Sequence, residues 1–298
     1  MTAAGAGGRT VGLVGAGRMG AAMAGRLRRA GRDVVVFNRT PERARAVAEA
    51  TGARVAGTAR EAAAAGTVVL VSLADDDACR SVYAGPDGLA AGVGPDTVVA
   101  DTSTVDPRTV ASLAAAVRER GGGFLDAPVS GSVPLVERGE LTVMVGGSAG
   151  DLARARPVLD QLARQIFHVG DTGTGSTMKL AVNALVHALN QALSEALVLA
   201  ERAGVERSAA YEVFAGSAVA APFVLYKRAA FEQPEETPVA FALDLVAKDL
   251  DLILALASRT GTRMPQAATN QHVVEAALAA GLGSQDMSAL AGFLDVGP

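Results

Sequence analysis

Residues 173–203, GTGSTMKLAVNALVHALNQALSEALVLAERA, form an apolar stretch with glycines at its start and Gly204 directly after its end. The stretch predicts one long helix, whose roughly 28 residues from Ser176 onward would span about 40 Å at about 1.5 Å per residue. Its polar side chains recur at helical spacing and therefore share one face of an otherwise apolar rod. They are Lys179, Asn183, His187, Asn190 and Ser194. A polar face on a buried helix needs partners, and a bound substrate is one candidate.

A strand, a glycine-rich turn and a helix are predicted at the start of the chain. Residues 10–14, TVGLV, are apolar, and the sequence GAGRMG follows at residues 15–20. Glycines at this spacing let a turn close and let the backbone approach a pyrophosphate at the helix N-terminus. The pattern predicts a dinucleotide site, against the alternative of a purely structural glycine turn. The predicted cofactor-binding residues are Gly15, Ala16, Gly17, Arg18, Met19 and Gly20.

The residues after the second predicted strand bear on the choice of cofactor. NAD enzymes usually place an acid there to bind the adenosine ribose. This chain has Asn38, Arg39 and Thr40 instead, so no carboxylate would repel a 2′-phosphate and an arginine could bind one. These residues predict NADP(H) as cofactor, and the alternative is that Arg39 is a solvated loop residue.

Polar residues also follow the later strands of the predicted sheet. Leu73 follows the strand at 67–72, while Ser103 and Thr104 follow the strand at 97–100. Ligands of doubly wound sheets bind beyond the carboxyl ends of strands, so Ser103 and Thr104 are candidates to face the nicotinamide, with helix capping by one of the hydroxyls as an equal alternative. Leu73 and Thr104 are predicted cofactor-binding residues. The loop with Ser130, Gly131 and Ser132 offers backbone N–H groups and hydroxyls to a carboxylate.

The strand pattern stops at residue 169, and every periodic segment after it is helical, including 208–215, 240–260, 266–280 and 286–293. The sequence therefore predicts an α/β fold with two domains. Residues 1–170 would form an N-terminal Rossmann-type doubly wound sheet. Residues 171–298 would form an all-α domain that begins with the long interdomain helix.

Charge and composition exclude several classes of protein. The net charge of −4 and the pI of about 5.5 give no basic surface for nucleic acid or for an anionic membrane. The single cysteine, Cys79, excludes an internal disulfide, and the three isolated histidines predict no metal site. The N-terminus lacks the apolar core of a signal peptide, and polar residues in the long helix argue against a membrane span. We therefore expect a cytoplasmic protein.

Lysine is rare in this chain, which has 24 arginines but only Lys179, Lys227 and Lys248. Lysine can release a proton near neutral pH when its surroundings lower its pKa, whereas arginine effectively cannot. A lysine kept in such an arginine-rich chain is therefore a candidate for proton transfer. Lys179, one helical turn from Asn183, is the strongest such candidate.

Six motifs together resemble one enzyme family over nearly the whole chain. They are GLVGAGRMG, DTST, FLDAPVSG, LTVMVGG, GTGSTMKLAVN and FALDLVAKDL, in this order. The chain resembles the β-hydroxyacid dehydrogenases, a family that includes 3-hydroxyisobutyrate dehydrogenase, tartronate semialdehyde reductase and glyoxylate/succinic semialdehyde reductase. The resemblance implies a Rossmann domain, a long interdomain helix, an all-helical domain and assembly as a homodimer or homotetramer.

The resemblance also implies roles for individual residues. Lys179 would be the catalytic acid/base and Lys248 would approach the cofactor. The family usually has two glycines after the serine, whereas Ser132 replaces the second glycine here and residues 134–137 read PLVE. The shape of the carboxylate site is therefore expected to differ. The implied substrate-binding residues are Ser130, Gly131, Ser132, Thr104, Asn183, Phe241 and Asp249.

The expected reaction is hydride transfer between NADP(H) and a small aldehyde- or keto-acid, giving a hydroxy acid of the 3-hydroxyisobutyrate, glyoxylate or succinic semialdehyde type. One alternative is an imine or non-acid ketone reductase of the same superfamily, which the altered loop leaves open. Another is a catalytically silent NADP-binding module, against which the retained Lys179 argues. His187 is a candidate to touch substrate, with an ordinary interior histidine as the alternative.

Overall fold

The computed structural model describes residues 9–296, which form two compact units that divide between Lys179 and Leu180. The first unit is α/β and the second is helical, so the predicted fold class is confirmed. Helix α8, Thr174–Arg202, contains residues of both units and matches the helix predicted from the 173–203 stretch. The domain boundary after residue 170 stays a prediction.

The first unit contains a nine-stranded sheet with the order β3-β2-β1-β4-β5-β6-β8-β7, and β9 also pairs with β8. Pairing is parallel from β3 to β6, and β8 is antiparallel to both β6 and β7. The strands are β1 Thr10–Val14, β2 Asp33–Phe37, β3 Arg54–Val55, β4 Val68–Val71, β5 Val98–Asp101, β6 Gly123–Asp126, β7 Val129–Ser130, β8 Leu141–Gly147 and β9 Ala163–Gly170.

Strand β1 lies between β2 and β4, so the strand order reverses beside it. Val11 pairs with Val34 on one side and with Val68 on the other. This reversal is the switch point at which doubly wound sheets bind ligands, beyond the carboxyl ends of the strands. The glycine turn after β1 is therefore at the position expected for a dinucleotide site.

Helices cover both faces of the sheet, because the parallel strands are apolar on both sides. Leu13 packs in one apolar cluster with Met23 of α1, and the next residue, Val14, packs in the opposite cluster with Ala62 of α3. The helices wholly in this unit are α1 Arg18–Arg29, α2 Pro41–Thr51, α3 Ala59–Ala64, α4 Asp76–Tyr83, α5 Pro107–Arg118, α6 Val133–Arg138 and α7 Ala149–Leu159.

The second unit packs its helices around one apolar core. Leu193 and Leu197 of α8 lie in this core with Tyr211, Phe231 and Leu250. Tyr211 is fully buried, and its hydroxyl donates to the Val224 carbonyl at 2.7 Å, which satisfies its polar end. The helices that follow α8 are α9 Arg207–Ala215, α10 Pro222–Glu232, α11 Leu243–Thr260, α12 Pro265–Ala279 and α13 Leu290–Val296.

The structure differs from the expected helices in three places. Helix α11 begins at Leu243 rather than at residue 240, because Ala242 is extended and forms a β-bridge with Asp286. Phe241 therefore lies before the helix. Helices α6 and α10 were not predicted from the sequence. Within residues 9–296, no helix is long and apolar enough to cross a membrane, and no cluster of side chains could hold a metal ion.

Candidate cofactor and substrate sites

The turn after β1 closes so tightly that two of its glycines cannot be replaced without a clash. Gly15 has a φ of +106°, and a Cβ on it would lie 2.1 Å from the Ser72 carbonyl oxygen. A Cβ on Gly20 would lie 2.0 Å from the Gly15 carbonyl oxygen. At Gly17, by contrast, nothing lies within 4 Å of an added Cβ. The turn therefore leaves open space beside its middle glycine.

The N-terminus of α1 borders this open space. Gly17 is its N-cap and supplies no side-chain hydrogen bond, whereas Thr58, Asp75 and Asp106 cap α3, α4 and α5 with their side chains. Free backbone N–H groups at a helix N-terminus bind phosphate. The turn and helix therefore fit the pyrophosphate of a dinucleotide, as the sequence predicts.

Asn38 fixes the glycine turn to the end of β2. Its Oδ1 accepts from the Ala16 N–H at 3.0 Å, and its Nδ2 donates to the Thr40 carbonyl at 3.0 Å. The side chain thus links the backbone of the glycine turn, at Ala16, to the backbone at Thr40, next to the residues predicted to bind the ribose. Arg39 and Thr40 are exposed beside it. Arg39 also lines a cavity of about 240 Å³, together with Phe37, Ser81, Val82 and Asp87 among others.

Asp101, at the end of β5, holds together the two loops that follow β4 and β5. It accepts from the Tyr83 hydroxyl at 2.8 Å and from the Ser103 N–H at 2.9 Å. The Ser103 hydroxyl accepts in turn from the Leu73 N–H at 3.0 Å. Burial raises the pKa of Asp101, and hydrogen bonds from Ser103 and Tyr83 oppose that rise. Ser103 is thus buried, and its hydroxyl is used in a structural hydrogen bond. The neighbouring Thr104 is half-buried.

Asp126, at the end of β6, binds the start of α8. Its two oxygens accept from the N–H groups of Gly173 and Ser176, each at 2.8 Å. Burial raises the pKa of Asp126, and these backbone donors counter the rise. A Cβ on Gly175 would lie 2.5 Å from the Asp126 carbonyl oxygen, so only glycine fits there. Asp126 is not among the site residues that the sequence predicts, and the one signal for it is the carboxylate within FLDAPVSG.

The predicted carboxylate loop is more ordered than the sequence indicated. Ser130 ends β7 and pairs with Thr142 of β8, and Gly131 has a φ of +140°. Ser132 is the N-cap of α6, again without a side-chain hydrogen bond to the helix. The residues 134–137 that depart from the family pattern therefore build a short helix whose N-terminus adjoins the predicted site.

Lys179 lies on α8, three residues after Ser176, whose N–H Asp126 binds. It is half-buried and is the last residue of the first compact unit. The backbone contacts of Asp126 and Gly175 thus fix the helical turn that leads directly to Lys179.

Four predicted or candidate residues meet in the second unit, on α8 and α11. Asn183 Nδ2 donates to Asp249 Oδ2 at 2.5 Å, and Lys248 Nζ lies 3.0 Å from Asp249 Oδ1. His187 Nε2 lies 3.5 Å from Asp249 Oδ2. Asp249 is only 1% exposed. An ionised carboxylate can only accept, so Asp249 fixes which end of the Asn183 amide faces it.

Phe241 extends this cluster, since its ring centroid lies 5.9 Å from that of His187. The remaining polar residues of the α8 face make bonds inside the same unit. Asn190 Nδ2 donates to the Met287 carbonyl at 3.0 Å, and the Ser194 hydroxyl donates to the Asn190 carbonyl at 2.8 Å. The C-terminal part of the polar face of α8, at Asn190 and Ser194, therefore makes structural hydrogen bonds.

Two known family descriptions match the chain in succession. Residues 10–170 match the NAD-binding domain of 6-phosphogluconate dehydrogenase. Residues 173–294 match the NAD-binding region of NADP-dependent 3-hydroxyisobutyrate dehydrogenase. The two matches together extend from β1 into α13, with residues 171 and 172 between them.

Individual relatives align over nearly the full length. The 2-(hydroxymethyl)glutarate dehydrogenase of Eubacterium barkeri is 33% identical over 94% of this chain and 93% of its own. The chloroplastic glyoxylate/succinic semialdehyde reductase 2 of Arabidopsis thaliana is 31% identical over 94% of this chain and 78% of its own. The crystal structure of 3-hydroxyisobutyrate dehydrogenase from Salmonella typhimurium has a TM-score of 0.87 at 31% identity, covering 96% of this chain and 99% of that one. The chain belongs to the β-hydroxyacid dehydrogenase family of NAD(P)-dependent oxidoreductases that act on CH–OH groups.

Proposed function

We propose that this enzyme interconverts a small aldehyde- or keto-acid and its hydroxy acid with NADP(H), and that Lys179 is the general acid/base. The observation that carries the proposal is the placement of Lys179, half-buried on a helical turn whose start is bound by Asp126. The fixed backbone sets the point from which the lysine side chain extends, and proton transfer requires such positioning of the acid/base.

In this mechanism the nicotinamide supplies or accepts the hydride. Lys179, as an ammonium, donates a proton to the oxygen of the developing alkoxide during reduction. During oxidation its free amine removes the hydroxyl proton. Arg at this position could not do so, because its guanidinium does not release a proton in the working pH range.

Binding of the substrate carboxylate falls to Ser130 and Gly131 in this proposal, with Ser132 beside them. The exposed Gly131 leaves its backbone open to a carboxylate. We propose acids of the 3-hydroxyisobutyrate, glyoxylate and succinic semialdehyde type. The names of the Salmonella and Arabidopsis relatives support this choice of substrate class.

We further propose that the cofactor is NADP(H) rather than NAD(H). Arg39 is exposed at the end of β2 and lines the cavity there, and Asn38 carries no charge that would repel a 2′-phosphate. An arginine is the natural partner of that phosphate. The description of the family that residues 173–294 match also names an NADP-dependent enzyme.

A homodimer or homotetramer in the cytoplasm completes the proposal. Leu185 and Leu199 of α8 are 74% and 72% exposed, and Ala181 and Ala192 lie on the same side of the helix. Apolar side chains in such a row are typical of a covered surface. Light scattering of wild type against Leu185→Glu/Leu199→Glu tests assembly, and a monomeric wild type would refute it.

The free thiol of Cys79 supports a reducing compartment, which cell fractionation checks.

The deciding experiment compares Lys179→Met and Lys179→Arg with wild type. NADPH oxidation is followed with glyoxylate and succinic semialdehyde, and NADP⁺ reduction with 3-hydroxyisobutyrate. Both variants should lose about 10²-fold or more in kcat, while the Kd for NADPH, measured by isothermal titration calorimetry, should stay close to that of wild type. Arg202→Met, on the exposed side of α8, is the matched control and should stay within about twofold.

The same assays separate the alternatives. Unchanged turnover in Lys179→Met would refute the role of the lysine. Turnover of cyclic imines but not of acids would support the imine reductase alternative, for which the altered residues 132–137 leave room. Tight NADPH binding without turnover of any carbonyl compound would identify a silent binding module.

A further inference from the structure

A buried ion pair in the second unit joins two residues that have no assigned role so far. Lys227 Nζ on α10 lies 2.6 Å from Asp286 Oδ1. The side chains are 4% and 9% exposed. Burying two charges costs free energy that a simple apolar pair would not cost, so such pairs call for an explanation beyond stability.

Asp286 uses both oxygens to hold backbone as well as the lysine. Oδ1 also accepts from the Ser288 N–H at 3.1 Å. Oδ2 accepts from the N–H groups of Ala240 and Phe241, at 2.8 and 3.1 Å. The Phe241 carbonyl in turn accepts from the Met287 N–H at 2.9 Å. The backbone of Phe241 is therefore held on both sides by residues 286 and 287.

These hydrogen bonds with residues 286 and 287 fix the backbone of Phe241 in place of the hydrogen bonds that a helix would supply. Phe241 precedes Ala242, the extended N-cap of α11, so it lies outside the helical hydrogen-bond ladder. Its position depends on the segment around Asp286. Its ring in turn packs at 5.9 Å from the His187 ring on α8. His187 lies 3.5 Å from Asp249, which binds Asn183.

We propose that Lys227 and Asp286 are positioning residues that act through Phe241, setting the affinity for the carbon chain of the acid rather than the rate of hydride transfer. The inference rests on the proposed function, in which Phe241 contacts the substrate. Lys227 balances the charge of a carboxylate whose two oxygens accept from three backbone N–H groups, those of Ala240, Phe241 and Ser288. A lysine suits the task because its compact ammonium makes one short contact in a closed space.

Two variants remove this arrangement in different ways. Asp286→Asn replaces one of the two acceptor oxygens by an NH₂ group. Because every partner of the Asp286 oxygens is a donor, this NH₂ group would face a donor and one set of hydrogen bonds would be lost. Lys227→Met/Asp286→Ala leaves no unpaired buried charge, so it should fold even where the single variant does not, while it still releases the Phe241 N–H. Glu201→Gln is the matched control, since it breaks the half-buried pair with Arg207 at 2.6 Å in the same unit.

The kinetic test uses the acid that wild type turns over best with NADPH. Both variants should raise KM about tenfold and leave kcat within about threefold, and the control should change neither. In a Phe241→Ala background the same substitutions should raise KM no further, because their route of action is gone. Full KM effects in that background, or an unchanged KM in both variants, would overturn the positioning role.

Hydrogen exchange of the Ala240 and Phe241 amides gives a readout that needs no substrate. Exchange should be slow in wild type and in the control, and clearly faster in both variants. Equal protection in all of them would overturn the proposal even if KM changed. A wild type that turns over no acid would overturn the proposed function, and the positioning role with it, whereas an active wild type with unaffected variants would overturn the positioning role alone.

Discussion

The Asp126 carboxylate accepts a hydrogen bond from the Ser176 N–H at 2.8 Å, across 50 residues of sequence. The same carboxylate accepts from Gly173, so one side chain at the end of β6 binds the first turn of α8. A side chain that satisfies these N–H groups does the work of an N-cap from another element of the fold. The sheet therefore fixes the start of the helix that bears Lys179.

Asp126→Ala should lower the free energy of unfolding by about 2–4 kcal/mol, because the buried N–H of Ser176 and the partly buried N–H of Gly173 lose their acceptor. Urea unfolding followed by circular dichroism measures this. Asp33→Ala is the control: Asp33 is exposed and pairs with Arg28 at the surface, so its loss should cost less than about 0.5 kcal/mol. Equal costs for the two variants would contradict the capping role.

Arg39→Asp should change the choice between the two cofactors. A carboxylate there would repel the 2′-phosphate of NADPH and accept from the ribose hydroxyls of NADH. We expect KM for NADPH to rise at least about tenfold while KM for NADH falls or stays the same. Steady-state kinetics with both cofactors measure the ratio. Arg45→Asp, on the exposed part of α2, controls for the change in overall charge, and an equal effect there would argue against specific recognition.

Local signals made much of the fold predictable. The βα alternation appears in the apolar strands and their glycine turn, and α8 follows from its length, its periodicity and Gly204. Capping residues stand at helix starts: Thr58 caps α3 and accepts from the Glu61 N–H, and Asp75 caps α4. Each of these signals lies within a few residues of the structure that it specifies.

What the sequence did not reveal depends on contacts between distant residues. The neighbours of Phe241 favour helix, so the sequence predicts it to be helical, but its N–H donates to Asp286, 45 residues away, and it lies before the first turn of α11. Asp126 and Lys227 likewise act through partners 50 and 59 residues distant. The hydroxyl of Ser103 could equally have faced the cofactor, and only the structure shows it bound to Leu73. Local propensity cannot anticipate such bonds.

Asn183 and Asp249 should behave as a coupled pair, since their side chains are 2.5 Å apart and buried. Asn183→Asp would place two carboxylates in contact and should lower the free energy of unfolding by about 3 kcal/mol or more. Asn183→Asp/Asp249→Asn restores one donor and one acceptor and should recover most of that loss. Urea unfolding of the four proteins in a double-mutant cycle gives the coupling.

The control for this cycle is Asn190→Asp on the same helix. Asn190 is equally buried, but it donates to the Met287 carbonyl rather than to a carboxylate. Asp249→Asn should therefore recover none of its cost. Recovery in this control would show that Asp249→Asn stabilises the unit in a general way, and a lack of recovery in the Asn183 pair would contradict their direct contact.

Asp286 should make the stability of the protein depend on acid pH. Burial alone would raise the pKa of Asp286, but the hydrogen bond and charge of Lys227, with N–H donors of Phe241 and Ser288, hold it below its ordinary value. The folded protein therefore binds the proton less readily than the unfolded chain. The stabilisation is complete above the ordinary aspartate pKa of about 3.9 and is lost as pH falls through the lower pKa of the folded state.

Wild type should thus exceed Asp286→Asn in free energy of unfolding most at pH 6–7, and progressively less below about pH 4. Urea midpoints from pH 7 to pH 3 measure the difference, with exposed Asp33→Asn as the control whose difference from wild type stays below about 0.5 kcal/mol. A gap between wild type and Asp286→Asn that stayed constant over that range would show that the carboxylate is not held ionised by Lys227.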